Sequence, residues 1–84
     1  MDKQEKMEKI TKIAEKVVKK WLIKKIGHNY IVSTTVFAGA EGEIEDYQTK
    51  KKYHWVFAPF TINIDNEKID MSTYKDEIMA IIKA

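Results

Sequence analysis

The hydrophobic period of this chain changes once, at Gly27, and that change limits the fold more than any other feature of the sequence. Before it, Met7, Ile10, Ile13, Ala14, Val17, Val18, Trp21 and Leu22 fall on about half of a helical wheel. After it, Tyr30, Val32, Val36 and Ala38 alternate with Ile31, Ser33, Thr35 and Phe37 in a run rich in β-branched residues, which is the period of a strand. A long amphipathic helix that precedes alternating strands can bury its apolar stripe against a sheet, and this makes the fold class α+β. Gly27 supplies the left-handed residue that ends a helix near Ile26, and Lys24 and Lys25 favour the negative end of its dipole. Lys3 and Lys6 project onto the apolar arc, so the first turn is expected to overhang the core or fray.

The strand over residues 29–38 should lead into a hairpin turn over residues 39–43, which holds Gly39 and Gly42 among small and acidic residues. A second strand is expected over residues 44–58. Tyr47, Thr49, Lys51, Tyr53, Trp55 and Phe57 share one of its faces, with His54, Val56 and Ala58 on the other. Pro59 interrupts the ladder or forces a bend, and Phe60, Ile62 and Ile64 continue as a third strand. Asp65, Asn66 and Glu67 make a turn, and residues 68–71 lead into a C-terminal helix capped by Ser72 or Thr73, with Tyr74, Ile78, Ile81 and Ile82 as its apolar seam. The expectation is one domain over residues 1–84 of order αβββα: an antiparallel three-stranded sheet, a long N-terminal helix and a short C-terminal one.

A chain of 84 residues buries only roughly 60% of its unfolded surface, and without Cys it has no disulfide to staple it. Self-association is the expected compensation. Tyr30, Val32 and Val36 make one face of the first strand apolar, and Ile31 and Phe37 do the same for the other. Helices covering one face would leave the second for a partner copy, so a homodimer is expected. The apolar stretches are far shorter than the ~20 residues that span a bilayer, and the N-terminus lacks the apolar region of a signal peptide. The pattern therefore predicts a cytoplasmic protein with no membrane span.

The net charge of +2 conceals a segregation. Nine Lys lie within residues 1–26, whereas residues 27–49 hold Glu41, Glu43, Glu45 and Asp46 and no Lys. Lys9, Lys12, Lys16, Lys19 and Lys20 occupy the helical arc opposite the apolar stripe, a geometry that suits tracking phosphates or an anionic membrane surface. The competing account is a self-paired face. Glu5, Glu8 and Glu15 precede Lys9, Lys12 and Lys19 by four residues, and each such pair is worth only about 0.2–0.5 kcal/mol. The segment Lys50, Lys51, Lys52, Tyr53, His54 and Trp55 mixes cations with aromatics, as proteins that stack bases do. Alternation of Tyr53, Trp55 and Phe57 instead favours a buried strand face, and Trp21 and Trp55 are both assigned to the core. Glu41, Glu43, Glu45 and Asp46 lack the spacing of a calcium loop and are read as a solvated acidic hairpin that could dock on a basic site of a protein partner.

Catalytic signals are weak. Ser33 and Ser72 lie in no nucleophile elbow, His28 and His54 lack helical metal spacing, and no phosphate-binding loop follows Gly39 or Gly42, so neither an enzyme nor a cofactor is expected. Arg is absent, which removes the bidentate fork used to read bases; nucleic-acid binding would rest on Lys alone. The order αβββα resembles the double-stranded-RNA-binding domain in outline. Members of that family grip phosphates with lysines at the start of the final helix, whereas Ser72-Thr73-Tyr74-Lys75-Asp76-Glu77 offers one Lys beside two acids. The reading that follows is a small non-catalytic binding protein of inhibitor or adaptor type, of the sort phages and mobile elements encode, which occupies a macromolecular partner. The alternative is a nucleotide or nucleic-acid binder built on the segment from Lys50 to Trp55.

Overall fold

The computed structural model describes residues 2–36 and 40–84. Helix α1 runs over Lys3–Ile26 and is followed by strands β1 (Ile31–Val36), β2 (Glu41–Asp46), β3 (Lys52–Ala58), β4 (Thr61–Ile64) and β5 (Glu67–Asp70). A 3-10 turn at Ser72–Tyr74 leads into helix α2, Lys75–Lys83. The five strands form one antiparallel meander in chain order. The α+β class and the two helices are as the sequence suggested, but the sheet has five strands and not three. With two more strands, the outline likeness to the double-stranded-RNA-binding domain ends.

Each extra strand has a local cause. The expected strand over residues 44–58 breaks because Asp46 turns inward and its carboxylate accepts the Gln48 amide at 2.8 Å and the Thr49 amide at 3.4 Å. Lys50 then closes the turn at φ 63, so the alternation of Tyr47, Thr49 and Lys51 belongs to a hairpin loop and not to a strand. Further on, Asp65 and Asn66 both take positive φ, 50 and 63, as a tight two-residue hairpin requires. The chain after them therefore pairs back as β5, with Ile69 opposite Ile62. Pro59 and Phe60 make a third hairpin turn in place of a bend.

The expected turn over residues 39–43 is displaced as well. Gly42 and Glu43 lie inside β2, and Gly42 is paired with Trp55 of β3. The ends of two expected elements, Phe37, Ala38 and Gly39, lie outside the described residues.

One sheet face carries the core. The register sets Ser33 opposite Ile44, Ile44 opposite Tyr53, Gly42 opposite Trp55, and Trp55 opposite Ile64, so these side chains share the face on which α1 packs. Against them α1 presents Ile10, Ala14, Val18 and Leu22, and Met71 and Ile78 close the cluster from the C-terminal side. Trp55 is fully buried, in agreement with its assignment from phase, while Trp21 is only half-buried at the margin of the cluster with the Lys25 ammonium 4.7 Å from its ring centroid. Thr11, buried within α1, donates to the Met7 carbonyl at 2.7 Å and so leaves no polar group unmet.

The helix ends are held. Asp2 accepts the Glu5 amide at 2.8 Å as N-cap, and Gly27 closes the other end at φ 81. Lys6 reaches the Ile82 carbonyl at 2.8 Å, placing a cation at the C-terminal end of α2. Residues 2–5 are exposed and overhang the core, as expected, and Lys6 ties the turn to α2. At the start of the C-terminal element neither Ser72 nor Thr73 is the cap: Met71 holds that position without a side-chain bond, and the Asp70 carboxylate before it takes both the amide and the hydroxyl of Ser72 at 2.9 Å, which holds the carboxyl below its ordinary pKa. Among the described residues, no helix is long and apolar enough to cross a membrane.

Candidate binding surfaces

The lysine stripe of α1 lies on the side of the molecule opposite the sheet, because the apolar arc of the same helix faces the core. Lys9, Lys12, Lys16 and Lys20 are exposed, over a rise of about 16 Å along the helix. Of the three intrahelical pairs expected, only Glu15–Lys19 forms, at 2.9 Å; Glu8 instead accepts from Gln4. Among the described residues Lys9, Lys12, Lys16 and Lys20 form no ion pair. Glu15 itself is half-buried at the contact with β1. Burial pushes its carboxyl up, but the Thr35 hydroxyl, Lys19 and the nearby Ser33 hydroxyl outweigh that effect and hold it below its ordinary value.

The segment from Lys50 to Trp55 does not converge on one site. Tyr53 and Trp55 point into the core, so Trp55 offers no ring for stacking. Lys52 and His54 lie on the outer sheet face, where Lys52 is opposite Glu45 and His54 Nε2 stands 3.3 Å from Glu41. Lys51 pairs with Asp65 at 3.1 Å, and this carboxylate raises the ammonium above its ordinary value. Lys50 remains at the tip of its hairpin with its ammonium 5.2 Å from the Tyr47 ring centroid.

The acidic cluster is also divided. Glu41, Glu43 and Glu45 project from β2 onto the outer sheet face at alternate positions. Asp46 takes the opposite direction and is only 2% exposed, so it is no part of an acidic arm. His28 explains its burial. The Nδ1 atom accepts the Tyr30 amide at 3.1 Å, which leaves Nε2 to donate to Asp46 at 3.2 Å. Burial pushes the Asp46 carboxyl up, but the Gln48 and Thr49 amides and His28 together hold it below the usual range.

A carboxyl held low in the native state contributes stability above its unfolded pKa and loses it as pH falls through the native one. Asp46, Glu15 and Asp70 all have this sign. The melting temperature is therefore expected to fall as pH drops below the ordinary carboxylate range, and Asp46→Asn to flatten part of that fall. Melts of both proteins from neutral to acid pH decide it; parallel curves would contradict the role given to Asp46.

One feature was missed in the sequence. Tyr30 and Tyr47 are 61% and 50% exposed and lie side by side, since the Tyr47 amide donates to the Tyr30 carbonyl at 2.9 Å. The alternation of residues 44–58 puts Tyr47 on a strand face, and only the Asp46 turn signal moves it to a loop. Among the described residues no group of His, Asp and Glu converges to hold a metal ion. No family model, curated protein or solved structure matches this chain.

Proposed function

We propose that this chain is a non-catalytic binding protein, of inhibitor or adaptor type, that docks on an acidic protein surface through the lysine face of α1. The observation that supports this reading is the row of Lys9, Lys12, Lys16 and Lys20, exposed on a rigid helix with no carboxylate neutralising them, on the side of the molecule away from Glu41, Glu43 and Glu45. A polarised molecule of this kind orients an acidic partner as it approaches and accelerates encounter. Lysines in a fixed row favour recognition by charge over recognition by shape.

A second reading keeps nucleic acid as the partner, favoured by the same four unpaired ammonium groups. Binding would then follow phosphate charge, ignore sequence and weaken steeply with salt, because Lys offers a point charge without the planar fork of Arg.

Isolation of the tagged protein from its native cells, beside a variant carrying Lys9→Glu, Lys12→Glu, Lys16→Glu and Lys20→Glu, tests both. The expected result is a stoichiometric acidic protein with the native chain, lost from the variant although its melting temperature stays near that of the native chain. Nuclease-sensitive absorbance in place of a protein would favour the second reading. The same companion on both chains would overturn the assignment of this face.

A further inference from the structure

We propose that β1 is a self-association edge, which pairs antiparallel with β1 of a second copy to join two sheets into one. The inference is independent of the lysine face. β1 is the first strand of the meander and pairs only with β2, so its other side is an open edge among the described residues. Protein sheets guard such edges with charge, proline or shortness. The opposite edge does so: β5 has four residues, three of them Glu67, Lys68 and Asp70. β1 has six residues, Ile-Val-Ser-Thr-Thr-Val, with neither charge nor proline.

The phase of the ladder shows what this edge presents. The bond from the Tyr47 amide to the Tyr30 carbonyl places even-numbered residues of β1 in hydrogen-bonded pairs with β2. Ser33 and Thr35 therefore turn their amides and carbonyls away from the sheet. A two-fold pairing centred on Ser33 sets Ser33 against the partner's Ser33, and Val32 against the partner's Thr34. The contact is closed and self-complementary.

A second observation points to the same occupant. The Ser33 hydroxyl oxygen is buried without a hydrogen-bond partner; it lies near enough to Glu15 to act on its charge but outside bonding geometry. In the two-fold pairing, rotation of each Ser33 side chain about χ1 toward the edge lets two such hydroxyls meet as a cross-strand Ser pair, which supplies the missing bond. On the flank above them Glu15 is already paired with Lys19 and Thr35. On the other face Val32 is exposed and would be covered.

The test adds the missing guard without disturbing the fold. Val32 and Thr34 lie opposite Glu45 and Glu43 within the sheet, so Val32→Lys with Thr34→Lys gains favourable neighbours in one copy and meets like charge across the two-fold. Light scattering coupled to size exclusion, from micromolar to millimolar protein, should give twice 9.9 kDa for the native chain and 9.9 kDa for the variant, with the variant's melting temperature not reduced. Asn63→Lys, a single added charge elsewhere on the outer face, should leave the dimer intact. Hydrogen exchange should show the Ser33 and Thr35 amides slowed in the dimer and fast on dilution. A native chain that stays at 9.9 kDa throughout would overturn the proposal and leave the edge to an extended segment of another protein; a dimer that persists in the double variant would overturn it too.

Discussion

Trp55→Ala is expected to cost about 3–5 kcal/mol and to leave the protein largely unfolded at physiological temperature. Trp55 is the largest fully buried side chain, and it stands at the centre of the sheet, paired with Gly42 on one side and Ile64 on the other. Removing it opens a cavity that β-sheet neighbours on both sides cannot fill. The indole also carries a test of its own: its Nε1–H is buried with no acceptor. Trp55→Phe removes that unmet donor together with some volume, and the two effects oppose each other. Chemical denaturation should therefore place Trp55→Phe much closer to the native protein than a simple count of deleted atoms implies. A Trp55→Ala protein that melts with the native one would contradict the core assignment.

The second large effect is at Gly42, where the smallest residue is fixed by the largest. A Cβ at this position would stand 2.7 Å from the Thr34 carbonyl oxygen and 2.8 and 2.9 Å from two carbons of the Trp55 ring. Neither neighbour can withdraw: one is backbone of the adjoining strand and the other is packed in the core. In an ordinary strand Gly is a weak choice and Ala improves it. Here Gly42→Ala should cost about 1–3 kcal/mol from overpacking, and Gly42→Val more. Combining Gly42→Ala with Trp55→Phe should recover part of the loss, because residues in contact do not act additively. A stabilised Gly42→Ala protein would show that the ring does not cover this position.

These two residues also show what was legible in the sequence. The phase of Trp55 within its run of alternating residues was enough to place it inside, and the helix over α1 followed from its period and from Gly27. Gly42 was taken as a turn residue because glycine marks turns more often than it marks the space under a cross-strand ring, and that space exists only once β2 and β3 are in register. The count of strands failed for a related reason. Asp46 acts through its side chain over two or three residues, inside a run whose period-two pattern continues across it, whereas the turn at Asp65 and Asn66 was legible but the four residues after it, with Ile69 as their one apolar side chain, carried no strand pattern. A local turn overrides a longer pattern when a buried carboxylate can meet the free amides.

The candidate surfaces were legible as charges but not as partners. Composition gave the lysine stripe, while the pairing that would have neutralised it formed only at Glu15 and Lys19. The segment from Lys50 to Trp55 and the acidic cluster each mixed residues that a strand sends to opposite faces, so nearness in sequence overstated nearness in space. The expected apolar second face was also misjudged. Its exposed side carries Glu41, Glu43, Glu45, Lys52, His54, Asn63 and Lys68, with Val32 and Val56 among them.

The central claim is that the lysine face of α1 holds the partner. The most direct measurement places a photo-crosslinking amino acid at Lys16, in the middle of that face, or at Asn63, on the outer sheet face, and irradiates the native cells. Position 16 should give one discrete covalent adduct with an acidic protein, abolished by Lys9→Glu, Lys12→Glu and Lys20→Glu, while position 63 should give none. An adduct formed from position 63 and absent from position 16 would contradict the account.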